Sequence, residues 1–259
     1  MKLRATLATV SAFVALVVSP AAAIKYGAAD GAGHPNVGAL IGKFGDQYFQ
    51  VCSGTLIAQN VFLTASHCTA YLEQQRVSAY VSFDSALSPG STRIAGTMYT
   101  NLAFFSPGFA NSADVAVVVL DTPVLGIAPA ALPVAGLLDQ LGAKGALKNQ
   151  TFTSVGYGAT EPVKTGPGAP ANGHTSLRMA ATGTFNALGP AWLHMSQNPS
   201  LGNGGACYGD SGGPNFLGPS NVIAGITVTG DRRCCSTNVA FRLDTPAARG
   251  FLKDWVALP

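Results

Sequence analysis

Charge is scarce in this chain: Asp, Glu, Lys and Arg make up 10% of its 259 residues, and the formal net charge is +3. So weak a charge gives no electrostatic reason to expect nucleic acid or an anionic membrane surface as a partner. Aromatic residues are also few, at 8%, and there is no internal repeat, low-complexity tract or charge block. Those absences argue against a coiled coil, a collagen-like fibre and a charged disordered tail. Four histidines and five cysteines are present, but no histidine falls at ligand spacing from the cysteines, which disfavours a metal centre. Beyond residue 18 no apolar run approaches the roughly 20 residues that cross a bilayer.

What is there begins with a targeting signal. Lys2 and Arg4 precede an apolar run from Ala5 to Val18, and Ala21-Ala22-Ala23 offers a small-residue cleavage site. Residues 1–23 are therefore expected to be a signal peptide, with the mature chain starting at Ile24 and secreted to the extracellular space. An oxidising destination makes Cys52, Cys68, Cys207, Cys234 and Cys235 disulfide candidates with one left over. With 31 Gly and 16 Pro, short apolar runs recur between turn signals, among them Val37–Ile41, Val61–Ala65, Val77–Phe83, Val115–Leu120 and Val222–Val228. This is the pattern of an all-β sandwich or barrel. Only Thr245–Leu258 reads as a helix, with Pro246 in its first turn and Ala248, Phe251, Leu252, Trp255 and Val256 at helical spacing. Leu125–Leu147, rich in Ala, Gly and Pro, is the expected crossing between two halves, and Gly158–Gly173 the expected exposed, mobile loop.

Three segments carry chemistry. His67 follows the apolar run Val61–Ala65 and adjoins Cys68; a bridge from Cys68 to Cys52, 16 residues upstream, would pin the strand end that presents the imidazole. Ser211 sits in Gly209-Asp210-Ser211-Gly212-Gly213-Pro214, where glycines admit a substrate backbone and the N–H groups of Gly209 and Ser211 are placed to hold a developing oxyanion. The same run fits the nucleophile elbow of esterases, but those need their histidine after the serine, and His34, His67, His174 and His194 all precede Ser211. Asp114 opens an apolar run, where a buried carboxylate is costly unless hydrogen bonded; orienting His67 would satisfy it. The order His67, Asp114, Ser211 is that of the chymotrypsin-like double barrel.

With these residues the sequence resembles the trypsin and chymotrypsin family of secreted serine peptidases. The resemblance is carried by Ile24-Lys25-Tyr26-Gly27, Leu63–Cys68, Asp114–Leu120, Ser154-Val155-Gly156-Tyr157-Gly158 and Gly209–Pro214. It implies two six-stranded antiparallel barrels, Ile24 to Leu132 and Pro133 to Pro259, the second ending in the helix. It also implies bridges Cys52–Cys68 and Cys207–Cys234, although adjacent Cys235 competes for the second. Activity would be endopeptidase hydrolysis through an acyl-enzyme, without metal or other cofactor, by a monomer that meets protein or peptide substrates and protein inhibitors and, once the signal is removed, no membrane. The specificity pocket would draw on Gly205, Ala206, Tyr208, Val228, Thr229, Gly230 and Asn238. Gly205 replaces the carboxylate of tryptic members, so small or apolar residues are expected before the scissile bond, the alternatives being a basic residue paired by Asp231 or an acidic one paired by inward-turned Arg232 and Arg233. The amino group of Ile24 would pair with Asp210. Lys25 departs from the family's Ile-Val-Gly-Gly start, and Val228 and Thr229 stand where a serine and an aromatic are usual. The alternative from another class is a module that keeps the fold for binding or inhibition, and it is distinguished by a serine unreactive to fluorophosphonate.

Overall fold

In a computed structural model, described for residues 24–106, 113–160, 162–163, 171–173 and 175–259, the chain forms two closed barrels. The segment read as a signal and half of Gly158–Gly173, residues 161 and 164–170, lie outside the described residues. The strands are β1 (Ala28–Ala29), β2 (Val37–Phe44), β3 (Gln47–Ala58), β4 (Val61–Thr64), β5 (Ala79–Ser82), β6 (Ile94–Thr100) and β7 (Ala116–Leu120). They continue with β8 (Thr151–Gly156), β9 (Pro162–Val163), β10 (Ala171–Asn172), β11 (Met179–Leu188), β12 (Trp192–Ser196), β13 (Pro214–Leu217), β14 (Ile223–Gly230) and β15 (Thr237–Arg242).

The first barrel closes in the order β2-β3-β4-β7-β6-β5, with β5 returning to β2. The second runs β11-β12-β15-β14-β13-β8 and closes by pairing β8 with β11. All these pairings are antiparallel, and closure pairs both sides of each of the twelve barrel strands. β1 pairs across the molecule with β11 of the second barrel, and β9 and β10 pair into a short hairpin within the glycine- and proline-rich loop. At the start of that loop Gly158, Ala159 and Thr160 are buried, which corrects the expectation of exposure there.

The barrels are filled by residues such as Val37, Leu56, Phe62 and Val117 in the first and Phe152, Leu193 and Ala240 in the second, all fully buried. The C-terminal helix is α3 (Pro246–Leu252), started by Thr245, whose hydroxyl accepts from the Ala248 N–H at 3.3 Å. It packs Ala248 and Leu252 into the core, and the following Trp255 lies 4.4 Å from Tyr99 of β6, ring centre to ring centre, so the chain end also braces the first barrel.

Two further helices correct the expectation of a single one. α1 (Ser66–Gln75) begins at the residue before His67, and α2 (Leu137–Ala143) lies in the crossing segment. The first turn of α1, Ser-His-Cys-Thr, has poor helix formers, and its preceding residue, Ala65, offers no side-chain cap. Tertiary bonds hold it instead: Cys68 is bridged to Cys52 on β3, the Ser66 hydroxyl donates to the Val115 carbonyl at 2.8 Å, and the Thr69 and Thr100 hydroxyls share a 2.7 Å bond.

Candidate active site

The first barrel presents His67 and Asp114 as a pair. Asp114 is 2% exposed and lies two residues before β7. Both of its oxygens accept from the same residue, Oδ1 from the His67 backbone N–H at 2.9 Å and Oδ2 from His67 Nδ1 at 2.8 Å. Because a carboxylate only accepts, Nδ1 carries the proton and Nε2 is left as the basic nitrogen. The His67 side chain is one-third exposed, while its carboxylate partner is dry.

The second barrel presents Ser211 on a loop before β13 with two left-handed turns, Gly209 at φ 94° and Gly212 at φ 77°, which glycine tolerates without strain. The N–H groups of Asp210, Gly212 and Gly213 are taken by the carbonyls of Cys207, Thr227 and Asp210 at 2.7–3.0 Å. Those of Gly209 and Ser211 have no backbone acceptor among the described residues. The loop is seated on the first barrel: the Ser211 carbonyl accepts from the Ser53 N–H at 2.9 Å, and the Gly209 carbonyl accepts from Gln50 Nε2 at 2.8 Å and the Ser53 hydroxyl at 3.1 Å. On its other side the Tyr208 carbonyl accepts from the Ala159 N–H at 2.7 Å. Gln50 and Ser53 escaped the sequence reading because neither residue type signals a role in holding a carbonyl more than 150 positions away. Among the described residues no hydrogen bond joins the Ser211 hydroxyl to His67.

Asp210, beside the serine, is 1% exposed and accepts from the N–H groups of Gly158 at 2.8 Å and Cys207 at 2.9 Å. Burial pushes its carboxyl up to about 7 despite those two bonds, and no cation pairs with it among the described residues. The glycines of Ser154-Val155-Gly156-Tyr157-Gly158 make room for it, since a Cβ at Gly158 would meet its Cγ at 2.6 Å and one at Gly156 would collide with Oδ1. Ile24 is fully buried against Met179, Ala181 and Ala206.

Beside Ser211 lies a cavity of about 130 Å³. Of the residues expected there, Ala206, Tyr208, Val228, Thr229 and Gly230 line it; Gly205 and Asn238 do not. Gly205 is turned to the backbone of Lys25 and has Gln197 where a side chain would project. Asn238 is directed into the barrel, donating to Ser154 Oγ and Asn215 Oδ1. Cys207, Thr227, Asp231 and Cys234 join the lining instead. Cys207 is bridged to Cys234, so the competition between adjacent cysteines is resolved and Cys235 is the free thiol; Cys52 is bridged to Cys68. His67 lies close to both Cys52 and Cys68, but the disulfide occupies their sulfurs and leaves no metal-binding set there. Burial would raise the Asp231 carboxyl, yet the N–H groups of Thr237, Ser236 and Cys235 and the Gln197 amide hold it below the usual range.

A family model described as Trypsin matches residues 29–255. No curated protein matches the chain. Among solved structures the chain is similar to HL collagenase, determined at 1.7 Å resolution, with a TM-score of 0.59 and 18% identity over 85% of this chain and 93% of that one.

Proposed function

We propose that this chain, which belongs to the trypsin family and is a serine endopeptidase, cuts peptide bonds with His67, Asp114 and Ser211 as its catalytic triad. The observation that carries the assignment is the bidentate hold of buried Asp114 on a partly exposed His67, which leaves Nε2 as the basic nitrogen. The Ser211 hydroxyl attacks the peptide carbonyl while Nε2 takes its proton, and the imidazolium returns that proton to the leaving amine. The N–H groups of Gly209 and Ser211 hold the oxyanion, and water, activated by the same nitrogen, releases the acyl group. A fluorophosphonate should label Ser211 of the folded chain. Ser211→Ala should abolish labelling and lower turnover by roughly 10⁶ with an unchanged unfolding midpoint. A folded chain that resists the reagent would instead be a binding module.

The apolar run before Ala21-Ala22-Ala23 and the two disulfides support secretion, with cleavage after Ala23. The new amino group of Ile24 would then supply the cation that Asp210 lacks and order the serine loop, which makes signal removal the activating event. Protein or peptide substrates, and protein inhibitors that mimic them, are the expected partners of a monomer. Preference for a small or apolar residue before the scissile bond is supported by Ala206 and Val228 in the cavity wall, and by an Asp231 carboxylate already engaged by backbone N–H groups. Alanyl and leucyl amides should be cut in preference to arginyl ones; the reverse order sinks this preference.

A further inference from the structure

Lys25 is 2% exposed, an unusual place for an ammonium group, which is costly to bury without acceptors. Its main chain and its side chain reach two different walls of the cavity beside Ser211. The backbone of Lys25 pairs antiparallel with Gly205, N–H to carbonyl at 2.8 Å one way and 3.0 Å the other, one residue before the lining Ala206. The fit is close, because a Cβ on neighbouring Gly204 would lie 2.5 Å from the Lys25 carbonyl oxygen. From that anchor the Lys25 ammonium donates to the Arg233 carbonyl at 3.2 Å, on the loop between β14 and β15. Ile24 and Tyr26, on either side, are held at φ 58° and 57°, a left-handed conformation that a branched or bulky residue adopts only when its surroundings impose it.

The 231–237 loop forms the facing wall, contributing Asp231 and Cys234 to the lining. Its internal order comes from the Asp231 carboxylate, which accepts from the N–H groups of Ser236 at 2.8 Å, Thr237 at 2.9 Å, Arg233 at 3.2 Å and Cys235. Its position relative to the rest of the pocket is set by links from outside: the Cys207–Cys234 bridge, the Gln197 N–H on the Ser236 carbonyl at 2.9 Å with the Gln197 amide on Asp231, the Tyr208 hydroxyl on the Arg232 carbonyl at 3.3 Å, and Lys25. Of these, Lys25 alone comes from the amino-terminal segment.

We infer that Lys25 is a positioning residue for substrate recognition, spacing the Gly205–Cys207 wall from the 231–237 wall and so setting the width of the pocket from the amino-terminal segment. This rests on the peptidase assignment above. It gives that segment a second link to the site, separate from the Asp210 pairing and directed at substrate choice rather than at the oxyanion groups.

The test compares wild type with Lys25→Met, Lys25→Gln and Lys25→Arg, each titrated with fluorophosphonate so that every rate refers to reactive Ser211 sites. Met has no donor and Gln is too short to reach Arg233. Both should raise KM for peptide amides about tenfold and flatten selectivity for the residue before the scissile bond, while the rate of fluorophosphonate labelling changes far less. Lys25→Arg should restore most of the selectivity. If Lys25→Met yields no reactive sites, Lys25→Gln decides. A lysine that only stabilised the fold would reduce the number of labelled sites and leave KM and selectivity per site as in wild type; that result overturns the inference. So does an Arg variant no better than Met. Failure to label wild type overturns the peptidase assignment itself, and this inference with it.

Discussion

Burial strongly favours the protonated form of Asp210, whose carboxyl is raised to about 7 from an ordinary 3.8 in the folded chain. The stability it contributes is therefore fully present below about pH 3.8 and is lost as pH rises through about 7, a change on the order of 4 kcal/mol. Asp30, Asp139 and Asp231 act the other way, since their lowered values add stability above the ordinary carboxylate range and lose it in acid. The Asp210 contribution is isolated by comparison with Asp210→Asn, which removes the titration while keeping one of the two acceptor oxygens; its constant loss of the other acceptor does not vary with pH. Both chains carry Ser211→Ala to prevent self-digestion. In chains still extended beyond Ile24, urea midpoints should fall between pH 4 and 8 more steeply with Asp210 intact than in the Asp210→Asn variant. After cleavage before Ile24 the ammonium should shrink that difference. Parallel pH dependences for the two extended chains would refute the account.

At the scale of elements, the site is made where strands end and tertiary bonds take over. β4 delivers the chain to α1, and the Cys52–Cys68 bridge fixes the first turn of that helix to β3; closing a loop of 16 residues contributes roughly 3 kcal/mol. β8 ends in glycines that leave space for Asp210, and β13 begins just beyond Ser211. β14 carries a register shift between Thr227 and Thr229 against β15. Through this irregular stretch Thr227, Val228 and Thr229 all contribute to the lining, while the Thr227 hydroxyl accepts from buried Asn215 Nδ2 at 3.1 Å.

Across the whole molecule, His67 and Asp114 belong to one barrel and Ser211 to the other, so the proposed triad depends on how the barrels are joined. Arg178, 2% exposed and just before β11, is central to that joint. Its guanidinium pairs with buried Asp30 at 2.7 Å and donates to the carbonyls of Gly31, Val37 and Phe83, tying the second barrel to the amino-terminal segment and the first barrel. Arg178→Met should leave Asp30 buried without its guanidinium and those carbonyls short of a donor, costing about 3–5 kcal/mol. Thermal unfolding should show a large drop in midpoint together with loss of fluorophosphonate labelling at assay temperature. An unchanged midpoint would mean that the barrels are held by their apolar contacts alone.

By itself the sequence determined what local chemistry can determine. Turn-bounded apolar runs announced an all-β chain because β-strands of about four to eight residues need only a pattern along the chain. Thr245 and Pro246 announced a helix start because capping is local. The His67, Asp114 and Ser211 segments could be singled out as candidates because each type of group needs a particular neighbourhood within a few residues: a strand end, a buried acid, a pair of glycines. Tertiary structure decided whatever depends on partners far along the chain. It started a helix at Ser66 against the weak propensity of that first turn, chose Cys234 over Cys235 for Cys207, and turned Gly205 and Asn238 away from the cavity while placing Asp231 in its wall. It also brought Gln50, Ser53 and Lys25 to the serine loop and the pocket walls. The physical reason is the same in each case: which face a side chain presents follows from strand register, and the register of a closed barrel is set by all of its strands together rather than by any one segment.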